Sequence, residues 1–338
     1  MSYIQMKQKI EKNQIAPLYL LIGLEAYLVD DIIHAVIEKT LQPEEREFNL
    51  STYEMKETMI DVAVEDAQTL PFLGSKRVVL VKDAYFLTAQ RIDSKLDHNV
   101  TRLEEYIENP MPETVFIITA PYEKLDERKK ITKKLRSQAE VLEAKEFDQK
   151  MINEWVDDQA RQHQIAVDHD AKELLMQLLG GNLLMMSNEL KKLSLYVGSD
   201  GTVTKQIVQQ MVARTLEQDI FALIDHVIHS RIDKALDLFF ELLRQKEDPI
   251  KIIALLARQF RIVYMVKELV KQGYAQKQIA SQIKIHPYAV KLATQQAKGF
   301  EDKRLFFCLE ELATMDYKIK TGQIDKKLAV ELFLMKLT

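Results

Sequence analysis

The amino-acid sequence predicts an α/β N-terminal domain with a parallel sheet and flanking helices, followed by a small helical domain and an all-α C-terminal domain. Apolar runs alternate with segments of helical periodicity over about the first 143 residues, which is typical of a parallel sheet. After Phe147 no convincing strand pattern follows. Only nine glycines and eight prolines interrupt 338 residues rich in helix-forming side chains. We therefore expect domains at residues 1–143, 144–212 and 213–338.

Five segments in the N-terminal part predict the strands of the sheet. In chain order they read PLYLLIG, EFNLSTYEM, KRVVLVKDA, ETVFIITA and AEVLEA. The clearest of them are continuous rather than alternating apolar runs, which indicates strands that are covered on both faces. Helical periodicity between these segments predicts helices over residues 30–41, 57–70, 100–108 and 125–136.

Capping residues and turn signals divide the C-terminal part into helices. The first predicted helices run from Asp148 to His163, from Asp168 to Leu179, from the GGN break at Gly180 to Tyr196, and onward from Thr204. From Leu216 we expect four or five longer helices. Asp248 and Pro249 form an N-cap and first-turn pair for one that reaches about Lys271.

Length, charge and cysteine content restrict the class of protein. The chain carries 47 basic and 51 acidic side chains, a net charge of −4, so as a whole it is not a basic nucleic-acid-binding protein. No apolar run approaches the roughly 20 residues of a membrane span, and the N-terminal segment lacks a signal-peptide core. The single cysteine, Cys308, lies in an apolar helical stripe, where a buried structural thiol is expected. These features predict a soluble cytoplasmic protein without a membrane partner.

The segment LYLLIGLEAYLVDD lies where a phosphate-binding loop would be expected, between a strand and a helix. Such a loop follows the pattern G-x-x-x-x-G-K-[ST], whose glycines, lysine and hydroxyl hold phosphate and magnesium. Counted from Gly23, the last three positions are Leu28, Val29 and Asp30. Asp30 and Asp31 would also repel phosphate at a helix N-terminus. The segment therefore argues against ATP hydrolysis, and an ordinary strand–loop–helix connection remains an open alternative.

At other positions where ATPases have catalytic residues, this sequence also lacks the required residue types. Asp83 follows a strand alone, with Ala84 where a second acid would polarise water, and is better explained as a strand-end cap. Met185 and Met186 occupy the place of an arginine that would contact the γ-phosphate. The sequence contains no GxSxG, HExxH or CxxC motif, and His226 and His229 lack a third metal ligand at suitable spacing. We expect no cofactor and no metal.

Several segments together resemble one family. They are, in order, LYLLIGLEAYLVDD, AQTLPFLGSKRVVLVKDAYF, APYEKLDERKKITKKL, LLGGNLLMMSNELKKLSLYVG, LLARQFRIVYMVKEL, HPYAVKLATQQAKGF and MDYKIKTGQIDKKLAVELFLMKL. Their order and spacing over 338 residues resemble the delta subunit of the bacterial DNA polymerase III clamp loader, in its low-GC Gram-positive branch.

The resemblance implies an AAA+-like module in two domains followed by a helical collar domain. In this family the collar packs with those of the tau/gamma ATPase subunits and the delta-prime subunit into a five-membered assembly. The delta subunit hydrolyses no ATP; it binds the sliding clamp (beta subunit) and opens or holds open the ring. The chain would thus be no enzyme by itself but a component of a nucleotidyltransferase holoenzyme, and it would meet primer–template DNA indirectly, at the replisome.

The resemblance also implies a clamp-binding site, an apolar wedge between a helix and the next strand. In QTLPFLGSKR the matching residues are Leu70, Phe72 and Leu73. Three large apolar side chains around Pro71, ended by Gly74, suggest an exposed turn whose exposure is costly without a partner. Pro71 separates Leu70 from Phe72, unlike branches of the family with Leu and Phe side by side. The alternative is that these side chains cap the local core.

A basic helical segment, DERKKITKKLRSQ, is a candidate DNA-facing patch. Its members are Lys129, Lys130, Lys133, Lys134 and Arg136. A solvated helix explains the same pattern, because acidic side chains at the start and basic ones at the end suit the helix dipole.

Residues 276–292 resemble a helix-turn-helix, which raises the alternative of a sequence-specific DNA-binding protein. The segment carries only Lys277, Lys284 and Lys291, with no arginine to read guanine. A packing element of the collar is the competing interpretation. An active AAA+ ATPase is the third hypothesis for the chain.

Overall fold

The computed structural model describes residues 1–90 and 96–337. The chain forms two compact units, Met1–Glu146 and Phe147–Thr338. The first unit corresponds to the predicted α/β domain. The second contains both predicted helical segments, and their separation near residue 212 stays a prediction.

In the described residues of the first unit, all five predicted strands are confirmed. The strands are β1 (Leu18–Gly23), β2 (Leu50–Glu54), β3 (Arg77–Lys82), β4 (Thr114–Ala120) and β5 (Glu140–Ala144). The α-helices are α1 (Tyr3–Glu11), α2 (Ala26–Thr40), α3 (Arg46–Asn49), α4 (Ile60–Ala67), α5 (Val100–Glu108) and α6 (Lys130–Gln138). Short 3-10 helices cover Pro43–Glu45 and Tyr85–Leu87.

The five strands form one parallel sheet in the order β2-β3-β4-β1-β5. On one face, side chains such as Leu20, Val79 and Phe116 pack against α4, α5 and α6. Side chains of the opposite parity, such as Leu21 and Ile117, are also buried, and α1 and α2 contact the sheet. The apolar runs are continuous because both faces are covered.

Two helices of the first unit are shorter than the periodicity predicts. The helix α6 begins at Lys130 instead of Leu125, because the Asp126 carboxylate accepts hydrogen bonds from the backbone N–H of Arg128 at 3.1 Å and from its guanidinium. Such local bonds compete with helix formation. The Arg128 bonds also lower the pKa of Asp126 to about 2.

The helix α4 ends at Ala67, short of the predicted Leu70. The hydroxyl of Thr69 donates to the Asp66 carbonyl at 2.7 Å. Pro71 disfavours helical backbone at the residue before it. The chain therefore leaves the helix early and continues as a loop to β3.

In the second unit, helices dominate the described residues. The elements are α7 (Gln149–Gln162), β6 (Ala166–Val167), α8 (His169–Leu179), α9 (Leu183–Val197), β7 (Thr202–Val203), α10 (Lys205–Met211), α11 (Leu216–Ile228), α12 (Ile232–Arg244), α13 (Pro249–Lys271), α14 (Gln276–Ile283), α15 (Pro287–Lys298), α16 (Asp302–Lys320) and α17 (Lys326–Lys336).

Two predictions for this unit are wrong. The parallel pair of β6 and β7 contradicts the expected absence of strands after Phe147, and each strand has only two residues, too few for a periodic signal. The described residues from Leu216 to 337 form seven helices instead of four or five. Three of the breaks contain a non-glycine residue with positive φ, namely Ser230, Lys246 and Lys284, so no glycine marks them in the sequence.

The long helix α13 lies in the core of the second unit. The Asp248 carboxylate accepts a hydrogen bond from the Ile250 N–H at 2.9 Å, which confirms the predicted N-cap. The ring of Phe260 is buried 5.6 Å from that of Phe300. Cys308 is buried, and burial raises its thiol pKa to about 12, so the predicted structural thiol is confirmed. Within residues 1–90 and 96–337, every helix is too short or too polar to cross a membrane.

An imidazole caps the N-terminus of α4. The Nδ1 atom of His98 accepts the Ile60 N–H at 3.1 Å, and its Nε2 atom lies 2.8 Å from the Tyr85 hydroxyl. Burial lowers the pKa of His98 below its ordinary value. The neutral ring is also the form that can accept the bond from Ile60.

We expect this histidine to make the fold less stable in acid. Its folded pKa lies below the unfolded value of about 6.5, so the unfolded chain binds more protons and stability falls as the pH drops below about 6.5. In urea unfolding, wild type should exceed His98→Gln in stability at pH 7.5, and the gap should narrow at pH 5.5. A gap that stays constant across this range would contradict the role assigned to His98.

Candidate functional site

The loop between α4 and β3 exposes three large apolar side chains. Leu70, Phe72 and Leu73 are 68%, 72% and 44% exposed. They project from the segment Leu70–Gly74, which we call the apolar loop. The side chains thus do not pack into the local core, and their exposure on an isolated chain is costly unless a partner covers them.

Arg77 and Gly74 define the two ends of the apolar loop. At its start, the nearly buried guanidinium of Arg77 pairs with Asp66 and reaches the Leu70 carbonyl at 3.4 Å. At its end, Gly74 has φ +70°, a left-handed conformation that glycine adopts without strain. A Cβ atom at Gly74 would lie 1.9 Å from the Glu45 Oε1 atom. The bond from Arg77 thus holds the start of the loop, and Gly74 permits the tight turn at its end.

Two residues of α3 contact the apolar loop and carry no functional signal in the sequence. The carboxamide of Asn49 accepts the Phe72 N–H at 2.8 Å and donates to the Leu73 carbonyl. The ring of Phe48 lies 5.3 Å from that of Phe72 and is itself half exposed. Leu50 of β2 pairs with Val78 of β3, so the residues that precede the two strands become neighbours. Phe48, Leu70, Phe72 and Leu73 together form what we call the apolar surface.

The position of the nucleotide loop differs from the sequence-based expectation. The helix α2 begins at Ala26, so only Leu24 and Glu25 separate it from Gly23 at the end of β1. Of the loop positions, Leu28 is buried, Val29 is half-buried and Asp30 is exposed, all within the helix. Asp30 and Asp31 therefore do not lie at the mouth of the helix, which corrects the interpretation drawn from the sequence.

Glu25 is the carboxylate at the N-terminus of α2. Burial raises its pKa above the ordinary value, and the nearby Glu146 carboxylate raises it further. Gly23 has φ +128°, and a Cβ atom there would lie 2.1 Å from the Ala144 carbonyl oxygen. An acid thus lies at the N-terminus of α2, and only two residues connect this helix to β1.

The acid after β3 is engaged within the domain. The Asp83 carboxylate accepts the Tyr122 hydroxyl and pairs with Lys56 at 2.6 Å. Its N–H donates to the Thr119 hydroxyl at 3.2 Å. Burial and the Asp83 carboxylate raise the pKa of Tyr122 above its ordinary value. These bonds agree with a strand-end role for Asp83. Among the residues that the structure describes, no group of three or more His, Cys, Asp and Glu side chains could hold a metal.

The candidate basic patch lies on and just before α6, and most of its charges are paired. Lys129 donates to the Phe86 and Thr88 carbonyls at 2.7 and 2.9 Å, Lys130 pairs with Glu104 at 2.8 Å, Lys134 pairs with Glu108, and Arg136 pairs with Glu127 and Glu143 at 2.9 and 3.0 Å. Of the five basic residues of the patch, all of which the structure describes, only Lys133 has an exposed side chain without such a partner. A phosphate would have to displace these internal partners at the other four positions.

Known proteins match nearly the whole chain. A family model described as DNA polymerase III, delta subunit, matches residues 19–145, and a model of the C-terminal domain of that subunit matches residues 217–337. The DNA polymerase III subunit delta of Bacillus subtilis (strain 168) is 42% identical over 330 residues, which cover 98% of this chain and 95% of that protein. The chain belongs to the DNA polymerase III delta subunit family.

A solved structure supports the same assignment for this delta-family chain. It is that of the Bacillus subtilis DNA clamp loader delta protein, with a TM-score of 0.86, 42% identity and coverage of 99% of both chains. A probable DNA polymerase III subunit delta from Aquifex aeolicus (strain VF5) is 24% identical over 209 residues, 61% of this chain and 59% of that protein. A model described as a middle domain matches residues 148–211. The predicted family and fold class are confirmed.

The helix-turn-helix segment of this delta-family chain consists of α14 and α15. The C-cap of α14, Lys284, has φ +54° and makes the turn. Lys277 pairs with Asp148 at 3.4 Å, and Lys291 donates to the Gln149 side chain at 3.1 Å. Two of its three lysines thus contact the N-terminus of α7 in the same unit, as in a packing element.

Proposed function

We propose that this delta-family chain is a clamp-loader subunit that binds the sliding clamp through the apolar surface and opens or holds open the ring for loading onto primed DNA. We further propose that it does not hydrolyse ATP. The observation that carries the proposal is the exposure of Leu70, Phe72 and Leu73 on a loop anchored to the sheet. The similarity to the Bacillus subtilis clamp loader delta protein supports it.

The apolar surface is large enough to act as a binding hot spot. Burying one such side chain contributes roughly 1.5–3 kcal/mol, so three give about 5–9 kcal/mol before ordering costs. Phe48 adds a second aromatic ring beside Phe72. Two aromatic rings with two leucines are a composition that fits a pocket on a partner protein.

The geometry around α2 supports a subunit without ATPase activity. The phosphate-binding lysine and hydroxyl are absent from the sequence, and Glu25 occupies the helix N-terminus that would face phosphate. In this proposal the ATP chemistry belongs to tau/gamma subunits, which with delta-prime complete a five-membered cytoplasmic assembly. The segment 213–338 would be the collar that joins them, and residues 144–212 the lid domain.

Direct DNA binding has a smaller part in the proposal. The internal pairs of the basic patch favour a solvated, structurally paired helix over a phosphate-binding surface. Contacts to primer–template DNA would then be made by the assembled loader, with Lys133 as the available charge of this patch.

The test is binding of the purified chain to its cognate sliding clamp, with and without ATP and magnesium. We expect tight binding whose dissociation constant is the same in both conditions, and no ATP binding in calorimetry at micromolar concentrations. ATP binding by the isolated chain would favour the ATPase alternative. Salt-sensitive binding to naked duplex, without clamp binding, would favour the DNA-binding alternative.

A further inference from the structure

Asn49 is fully buried, and both polar atoms of its carboxamide form hydrogen bonds with the backbone of the apolar loop. Its side chain is 0% exposed. The carboxamide oxygen accepts the Phe72 N–H at 2.8 Å, and the carboxamide nitrogen donates to the Leu73 carbonyl. Phe72 and Leu73 belong to no strand. The Asn49 amide gives their backbone the acceptor and the donor that a neighbouring strand would otherwise provide.

The loop has few other ways to keep one conformation. Residues 68–76 lie between the end of α4 and the start of β3 and have no regular secondary structure. Arg77 donates to the Leu70 carbonyl at 3.4 Å, and Gly74 adopts the left-handed conformation of the turn. Between these two positions, Asn49 supplies the bonds that the backbone of Phe72 and Leu73 makes to the rest of the domain. An amide in a dry site is costly to leave unpaired, so its bonds define the loop strongly.

We propose that Asn49 is a positioning residue that holds the apolar loop in its partner-binding conformation before the partner arrives. The inference rests on the proposed function of the loop. A loop already ordered in the free chain loses less conformational entropy on binding, which increases affinity without any new contact. Asn49 itself is buried behind the loop and does not need to touch the partner.

The first test compares Asn49→Ala with wild type by two measurements. Hydrogen exchange at the Phe72 amide in the free chain should become at least about ten-fold faster, because the acceptor is lost. Clamp binding should weaken about ten-fold or more, with the same amide then protected in the complex. Ile107→Val, in the core on α5 and outside this loop, serves as a control that lowers stability without changing either readout.

A second variant separates positioning from general stability. In Asn49→Asp the carboxylate can still accept the Phe72 N–H, but it cannot donate to the Leu73 carbonyl and repels it. Burial beside the Leu73 carbonyl raises the pKa of this carboxyl group from its ordinary value of about 3.9. Protonation then restores a donor, so the deficit in clamp affinity relative to wild type should shrink from about ten-fold at pH 8 to within about three-fold at pH 5.5. Expressing affinity as a ratio to wild type at each pH removes the pH dependence of the clamp.

Three results would overturn the inference. They are unchanged exchange at the Phe72 amide in Asn49→Ala, faster exchange with unchanged clamp affinity, and a deficit in Asn49→Asp that does not depend on pH. If wild type fails to bind the clamp, the proposed function falls, and so does the part of the inference that concerns the partner. The exchange measurement on the free chain still decides whether Asn49 holds the loop.

Discussion

Replacing Leu70, Phe72 and Leu73 together by serine is expected to weaken binding to the sliding clamp by about 1,000-fold. Such a loss corresponds to about 4 kcal/mol of binding free energy, which two of these exposed side chains would supply if each contributed about 2 kcal/mol, as hot-spot residues do. Serine keeps the backbone and the hydrogen bonds to Asn49, so the loop remains attached while its apolar contacts are lost. Surface plasmon resonance against the immobilised clamp would measure the change.

A matched control is available in the second unit. Leu184, Leu195 and Tyr196 on α9 are exposed to a similar degree, at 56%, 81% and 56%, and their replacement by serine should leave clamp affinity unchanged. Circular dichroism of both variants should match wild type, since exposed side chains contribute little to folding. Equal clamp binding by wild type and the loop variant would move the site elsewhere on the chain.

Gly23→Ala is expected to destabilise the N-terminal unit by about 4 kcal/mol. The residue has φ +128°, where a side chain is strained, and its Cβ atom would lie 2.1 Å from the backbone oxygen of Ala144. That oxygen accepts the Glu25 N–H at 3.2 Å and belongs to β5, which pairs with β1 in the sheet. Neither strand can move away without breaking this pairing, so the strain cannot be relieved locally.

Gly322→Ala is the natural comparison for this variant. It also has positive φ, +71°, but open space where its Cβ atom would be placed, so its cost should be about 1–2 kcal/mol. Hydrogen exchange in increasing urea would report the loss for Gly23→Ala at the β1 and β5 amides, and the loss for Gly322→Ala at the α16 and α17 amides of the second unit. If Gly23→Ala lowered the free energy of unfolding by no more than Gly322→Ala does, β5 would have to be able to shift away from the added Cβ atom.

The strand–glycine–helix frame of a nucleotide site thus has a structural explanation in this chain. Gly23 remains necessary because β5 passes against it, whether or not a phosphate binds. The positions of the absent catalytic residues have other roles, because Leu28 is a core residue of α2 and Asp30 is exposed to solvent. A strand, a glycine and a helix can therefore persist where lysine and the hydroxyl are absent.

Much of the fold was predictable because its strongest signals are local. The three central strands of the sheet, β1, β3 and β4, are runs of apolar residues between two helical layers, so burial on both faces marks them in the sequence. The cap at Asp248 depends only on the next residues and was predicted for the same reason. Helix ends that depend on a particular side chain, such as Asp126 before α6, were misplaced.

The exposure of the apolar loop was predictable in part. Pro71 and Gly74 mark a turn in the sequence, and the resemblance to the delta subunit family identified the three apolar residues beside them. The start of α2 could not be predicted from the sequence, because the amphipathic pattern of its first turn is weak and Glu25 forms no side-chain cap bond there. The interpretation of Asp30 and Asp31 failed with that boundary.

The sequence by itself determined the five strands of the sheet, the burial of Cys308 and the family, because hydrophobic periodicity and ordered motifs can be read along the chain. Only the tertiary structure decided that Phe48 and Asn49 contact the apolar loop. They precede β2, whereas the apolar loop precedes β3, and the parallel register of Leu50 with Val78 brings the two segments together. Strand pairing joins residues that are distant in sequence, so no local pattern could have placed this amide behind the apolar loop.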